Sequence, residues 1–280
     1  MKSIRIKCPA KINLTLEVLN RRADGYHNIK SVMQLISLYD FLNIEIGHAN
    51  SNKIVLSGNS DEIPYDERNL VYKATDLYLK EVGINDCEIK IYIEKNIPIS
   101  AGLAGGSTDG AGVLFGLNQL LNVFDEEKIN ELCAKLGSDL NVCLNGGCVL
   151  ATSRGEITKS LPVAEKAVSL IKPKYLGISA KEAYTKYSEK SYKPQNNMTE
   201  KLIEALPSNN IEPFLYNDLE YAVFDDYIEL QEIKKLYPNA IMSGSGSTYF
   251  VLEDIKQSKL NKDFLLINNL HFIKTGTETA

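Results

Sequence analysis

Hydrophobic and polar residues alternate over residues 88–94, where Ile89, Ile91 and Ile93 take every second position, the period of a half-buried strand. From Ser107 the period lengthens, and Val113, Leu114, Leu117, Leu120 and Leu121 fall on one face of a helix. Closely spaced glycines separate the two patterns. Residues 2–19 also alternate: Ile4 and Ile6, a break at Pro9, then Ile12, Leu14, Leu16 and Val18. Lys11, Asn13, Thr15 and Glu17 take the opposite face of that second run, which by pattern alone is a solvated face.

Further along, residues 31–46 are mainly apolar and β-branched, predicting one or two strands interrupted near Tyr39-Asp40. Asn69 is placed to cap a helix to about residue 81, with Leu70, Ala74, Leu77 and Tyr78 as its stripe. Asp125 can cap a second, bearing Ile129, Leu132, Cys133 and Leu136 and ending at Gly137. Strand character resumes at residues 149–152 and 168–171. Short helices are predicted at 180–187, 198–206 and 227–236, and a polar loop at 191–197. A second glycine cluster, Ser243-Gly244-Ser245-Gly246-Ser247, precedes alternating Tyr249 and Val251 and a closing helix and strand. No internal repeat or Pro/Gly/Ser-rich linker divides the chain. The length of 280 residues predicts two lobes, drawn at 1–155 and 156–280.

Composition narrows the class of partner. Hydrophobic residues at 44% and charged residues at 24% are those of a soluble globule, and a net charge of -5 without a basic cluster argues against nucleic acid. No apolar run reaches the roughly 20 residues of a membrane helix, and the N-terminus leads into strand residues instead of a signal segment. A cytoplasmic protein, monomer or homodimer, with a small-molecule substrate is expected. Five cysteines, an odd number, do not suggest a disulfide framework, and the three scattered histidines form no zinc pattern. No protein metal site is assigned.

The candidate chemistry lies in Pro98-Ile99-Ser100-Ala101-Gly102-Leu103-Ala104-Gly105-Gly106-Ser107-Thr108-Asp109. A strand entering a helix through such glycines presents backbone N–H groups at the positive end of the helix dipole, where phosphate binds. A merely flexible loop would not need Ser107 and Thr108 to open the helix. The Walker pattern fails because no Lys follows Gly106, and the dinucleotide spacing is absent. A serine hydrolase using Ser107 lacks the elbow, since Asp109 stands where its last Gly belongs.

Pro9-Ala10-Lys11-Ile12-Asn13-Leu14, the stretch from Ile97 to Asp109, and Gly244-Ser245-Gly246-Ser247 together resemble the GHMP kinase superfamily. Arg22-Ala23-Asp24-Gly25-Tyr26-His27 and Leu136-Gly137-Ser138-Asp139 narrow the resemblance to the 4-diphosphocytidyl-2-C-methyl-D-erythritol kinase family, over about residues 5–255. The resemblance implies an α+β fold, with an N-terminal lobe like ribosomal protein S5, a C-terminal α/β lobe and the active site in the cleft between them. It implies transfer of the ATP γ-phosphoryl group to the 2-hydroxyl of the erythritol unit, with Mg²⁺, in the non-mevalonate isoprenoid pathway. By motif match Lys11 and Asp139 are the catalytic pair. Gly102, Leu103, Ala104, Gly105, Gly106 and Ser107 cradle the triphosphate beside Pro98 and Lys95, and Asn69 sits near the adenine. Asn13, Tyr26 and His27 bind the acceptor, with His27 at the cytosine edge and Tyr184 a candidate to stack on that ring.

These residue types suit the implied roles. Asp139 can accept a hydroxyl proton, and a neighbouring Lys11 would favour the ionised carboxylate. Taken singly, an Asp after a helix is a cap, a strand Lys is solvated and a Tyr is core. Ala104 replaces a glycine of some relatives and is expected to keep φ negative. Asp109 is open to a metal role or to favouring the helix dipole. A mevalonate or homoserine kinase remains an alternative, although neither substrate has a base for Tyr26 and His27. So does a nucleotide-binding sensor, which would not need Lys11 and Asp139.

Overall fold

The computed structural model describes residues 2–280 except 192, 195 and 196, so part of the polar loop expected at 191–197 lies outside the described residues. The fold is α+β, built on two antiparallel partners of unusual length, β1 (Lys2–Arg21) and β2 (His27–His48). Pro9 does not break β1 as its sequence suggests. A register shift between Pro9 and Ala10 absorbs the proline as a bulge, and pairing continues from Ala10 opposite Ile36. Beside them run β3 (Lys53–Gly58), α1 (Leu70–Val82), β4 (Cys87–Glu94), α2 (Gly105–Leu121), α3 (Glu126–Leu136), α4 (Leu140–Asn145), β5 (Cys148–Ser153) and β6 (Ile157–Leu161). The second half contributes β7 (Ala167–Pro173), α5 (Ala180–Glu189), α6 (Met198–Ala205), β8 (Tyr216–Asn217), α7 (Asp218–Val223) and α8 (Ile228–Leu236). It closes with β9 (Ile241–Met242), β10 (Tyr249–Val251), β11 (Phe264–His271) and β12 (Glu278–Thr279). In place of the expected closing helix, residues 257–259 make a single 3₁₀ turn.

The larger sheet runs β12-β1-β2-β4-β3, with β5 and β6 continuing from β2 and the short β8 lying parallel to β1. The smaller sheet is β11-β7-β10-β9. The bend at the bulge lets one long hairpin serve two cores. Ile6, Leu42 and Ile44 pack under α1 and α2, whereas Ile12, Leu14 and Ile36 pack against elements of the second half. Helix α2 is buried along most of its length because Gly112 admits the sheet: a Cβ there would stand 2.3 Å from Cys8 Sγ. All five cysteines are buried and free.

The expected caps are present. Asn69 Oδ1 accepts from Val71 N at 2.9 Å and Asp125 Oδ1 from Lys128 N at 2.8 Å. Contrary to its alternation, the polar face of β1 is interior: Lys11, Asn13, Thr15 and Glu17 are all buried. The second half covers them. Thr199 Oγ1 donates to Thr15 Oγ1 at 3.0 Å, and Glu17 accepts the first amide of α6, Met198 N, at 2.8 Å. A buried polar face persists only when partners replace water.

Candidate active site

The stretch of the β1 edge between its pairings with β12 and β8 collects both glycine clusters. Lys11 N donates to the Leu103 carbonyl at 3.1 Å, and Asn13 N donates to Ser243 Oγ at 3.3 Å. Ser243 Oγ in turn donates to the Gly102 carbonyl at 3.0 Å, joining loops 141 positions apart. This contact excludes any side chain at residue 102: its φ is +72° and a Cβ would stand 2.0 Å from the Ser243 carbonyl oxygen. Asn217 fixes the later loop, its amide donating to the carbonyls of Met242 at 2.6 Å and Gly244 at 2.8 Å. Neither Ser243, legible only as part of a glycine cluster, nor Asn217 carries a local signal for this supporting role.

Helix α2 begins at Gly105, two residues before the expected start, and neither Ser107 nor Thr108 caps it. Ala104 precedes it at φ +60°, ψ 27°, so the expectation of a negative φ is wrong. The loop must reverse here to bring the helix against the sheet at Gly112. Ala104 therefore adopts a left-handed conformation that costs an L-residue roughly 1–2 kcal/mol.

Around this edge opens a cavity of ≈ 1040 Å³. Lys11, Asn13, Gly102, Ala104, Ser107 and Asp139 line one part, and Tyr26, His27 and Tyr184 line another. Lys11 Nζ donates to Asn13 Oδ1 at 2.6 Å and to the Gly102 carbonyl at 3.2 Å, and stands 3.7 Å from Asp139 Oδ2. Asn13 passes the chain on to Ser31 Oγ at 2.8 Å. Asp139 precedes α4, but its side chain makes no cap bond, which leaves the carboxylate to the cavity. His27 Nε2 meets Ser188 Oγ at 3.0 Å, and its ring stacks on Tyr184 with centroids 5.2 Å apart and planes 14° from parallel. Burial, then the Lys193 and Arg21 charges, hold the imidazole below its ordinary 6.5. Burial, then the Asp139 carboxylate, push the Tyr184 hydroxyl up.

Other expected residues fall elsewhere. Lys95 and Pro98 line a second cleft of ≈ 380 Å³ with Ser60, Asn96, Lys172 and Lys174. Lys95 Nζ is buried between two carboxylates, 2.9 Å from Asp109 Oδ2 and bonded to Asp40 Oδ2. Asp40 Oδ1 also accepts Asn96 N at 2.6 Å and Ile97 N at 2.8 Å. Asp109 is thus buried against Lys95, within α2 and outside its first turn. Burial pushes the Asp109 carboxyl up, and Asp40 adds to this against the pull of Lys95. Despite its burial Lys95 is held above its ordinary value by the two acids. Leu103 is a core residue, Gly105 and Gly106 open α2, and the Asn69 amide is committed to its cap and to the Pro64 carbonyl at 2.7 Å. The sequence signal for Asp40 was an acid interrupting an apolar run; nothing local marked its partner.

The family description "GHMP kinases N terminal domain" matches residues 69–151. The chain is 39% identical over 264 residues to 4-diphosphocytidyl-2-C-methyl-D-erythritol kinase of Carboxydothermus hydrogenoformans, covering 91% of this chain and 90% of that one. It is 40% identical over 260 residues to the enzyme of the same name from Clostridium botulinum strain Eklund 17B, covering 88% and 90%. A crystal structure of 4-(cytidine 5'-diphospho)-2C-methyl-D-erythritol kinase superposes with a TM-score of 0.75 at 32% identity, over 89% of this chain and 90% of that one. The homoserine kinase of Cytophaga hutchinsonii shares the fold, with a TM-score of 0.77 at 19% identity over 100% and 98%. Among the described residues no helix is long and apolar enough to cross a membrane. The chain belongs to the 4-diphosphocytidyl-2-C-methyl-D-erythritol kinase family of GHMP kinases.

Proposed function

We propose that the protein transfers the γ-phosphoryl group of ATP to the 2-hydroxyl of 4-diphosphocytidyl-2-C-methyl-D-erythritol. The observation that carries this is one cavity with a lysine–carboxylate pair in one part and His27, Tyr26 and Tyr184 in another. An acceptor with a nucleobase and a distant hydroxyl needs both. The acceptor oxygen attacks the γ-phosphorus, the bond to the β–γ bridging oxygen breaks, and Asp139 takes the hydroxyl proton as ADP leaves. Lys11, held by Asn13 and Gly102, stabilises charge on the phosphoryl group in flight.

Gly102 to Ser107 would hold the triphosphate, and the cleft at Lys95 and Pro98 suits the nucleoside end of ATP. Asn69, whose carboxamide is engaged in its cap and with the Pro64 carbonyl, would hold the start of α1 for the adenine. Mg²⁺ would arrive with ATP and neutralise its phosphates; Ser107 and Asp139, which line the same cavity, are oxygen donors of the type it takes. With Nε2 engaged by Ser188 Oγ, a neutral His27 would offer its other ring nitrogen, Nδ1, to the cytosine edge, and the His27–Tyr184 stack offers a face for the ring to extend.

ADP release with Mg-ATP and four separate acceptors tests the proposal: diphosphocytidyl-methylerythritol, mevalonate, homoserine and galactose. Turnover with the cytidine compound alone is expected. Turnover with a different acceptor only would refute the role of Tyr26 and His27, and ATP binding without turnover on any would favour a sensor.

A further inference from the structure

Strand β1 carries Lys11 and Asn13, and the same strand sets the place of the second glycine loop. It pairs in parallel with β8, Thr15 opposite Tyr216 and Leu16 opposite Asn217, and two residues on Val18 N donates to Asp218 Oδ2 at 2.7 Å. Asn217 is thereby fixed to the strand, and it is buried. Its carboxamide is fully used. Oδ1 accepts Leu219 N at 2.8 Å and caps α7, while Nδ2 gives one hydrogen to the Met242 carbonyl and the other to the Gly244 carbonyl.

The loop that receives these bonds is held weakly from within. Gly244 and Gly246 take φ of +55° and +88°, and the internal backbone bonds run from Ser243 N to the Thr248 carbonyl at 2.8 Å and from Gly246 N to the Ser243 carbonyl at 2.9 Å. Neither touches the Gly244 carbonyl. Yet Gly244 lies against the lysine of the site: a Cβ there would stand 3.3 Å from Lys11 Nζ, 3.3 Å from Asn13 Oδ1 and 3.0 Å from the Gly102 carbonyl oxygen.

Resting on the kinase proposal, we propose that Asn217 is a positioning residue for phosphoryl transfer: by holding the Gly244 carbonyl it keeps the second glycine loop closed over Lys11 and so fixes where the ammonium points. An ammonium on a four-carbon stem is a mobile point charge, and its direction has to come from packing. Two of its three hydrogens go to Asn13 Oδ1 and the Gly102 carbonyl, which leaves the third for the side of the cavity where Asp139 stands. With Gly244 in place the stem has no room to swing away. Because β1 carries the lysine and, through β8, the amide that holds the loop, one strand sets the separation of the two. A charge held in advance stabilises the phosphoryl group in flight without reorienting during the reaction.

Steady-state kinetics of Asn217→Asp, with whichever acceptor the wild type uses, tests this. Aspartate keeps the shape and the cap of α7 but turns a carboxylate oxygen toward the Met242 and Gly244 carbonyls. The expected result is a kcat lower by roughly 10- to 100-fold, with KM for ATP and for the acceptor within about threefold. Glu220→Gln is the control for stability: Glu220 Oε2 accepts Met242 N at 3.0 Å and Oε1 stands 3.0 Å from Lys234 Nζ, so the change weakens the root of the loop without touching Gly244. It should lower the melting temperature and keep kcat within about twofold. Wild-type kcat in folded Asn217→Asp would overturn the assignment, and so would an equal fall in Glu220→Gln, which would make the effect one of general stability. Wild type that turns over none of the acceptors would remove the kinase reading and this role together; wild type that turns over an unexpected one would leave the same comparison decisive for Asn217.

Discussion

Lys11 Nζ stands 3.7 Å from Asp139 Oδ2, while closer contacts to Asn13 and the Gly102 carbonyl hold it on its other side. At that separation the ammonium attracts the carboxylate without occupying it by a short hydrogen bond. Asp139 is left to accept a proton. Asp139→Asn should keep ATP affinity and lower kcat by about 10²-fold or more, the scale of losing a positioned base; steady-state ADP release with a parallel ATP titration measures both. Near-normal turnover would remove Asp139 from the role.

His27 is expected to serve the acceptor and not ATP. His27→Ala should raise KM for the cytidine acceptor at least about tenfold, leaving ATP affinity within about twofold. Because the folded imidazole is held below its ordinary 6.5, the neutral form is the native one. Its contribution is complete above the unfolded value and fades as pH falls through the folded one. Acceptor affinity in wild type should therefore be flat above pH 6.5 and decline on acidification, with no such decline in His27→Ala.

Asp109 and Lys95 predict opposite responses to neutralisation. Lys95→Met leaves Asp40 and Asp109 facing each other in the interior and should cost about 3–5 kcal/mol in a urea titration. Asp109→Asn removes one of the two acids and should be far milder. The Asp109 carboxyl is raised from 3.8 to about 8, so the folded chain binds a proton that the unfolded chain releases. The stability it contributes is present below pH 3.8 and is lost as pH rises toward 8. Urea midpoints across that range should fall less for Asp109→Asn than for wild type; parallel curves would show that the carboxyl is ionised throughout.

Ala104 tests the reversal at the start of α2. Glycine has no penalty at φ +60° but loses more chain entropy on folding, so Ala104→Gly should stabilise by about 0.5–1 kcal/mol. A thermal melt showing destabilisation would refute the strain assigned to this position.

Elements whose reasons are local were legible in the chain. Asn69 and Asp125 cap their helices as their positions suggest, and residues 88–94 form β4 with Ile89, Ile91 and Ile93 buried. The shared side of Lys11 and Asn13 followed from the two-residue strand period, and the cavity brings both together with Asp139. Several elements were missed or misjudged for want of local cause. Pro9 looked like a terminator because the bulge that accommodates it depends on β2, and β8 and β12 are two-residue strands that exist only by pairing with β1.

The chain's own pattern was enough for β4, the capped helices α1 and α3 and the glycine turn before α2, because periodicity, capping and turn chemistry act over a few neighbours; the α+β class and the roles of the candidate residues came from the family resemblance. Which polar residues became interior was decided in three dimensions. Lys11 and Glu17 read as a solvated face until α6 and the second glycine loop closed over β1. Lys95 meets Asp40 across 55 positions, and Gly102 meets Ser243 across 141. Such contacts have no signature in spacing, since burying a charge is tolerable only after distant segments have supplied its partner.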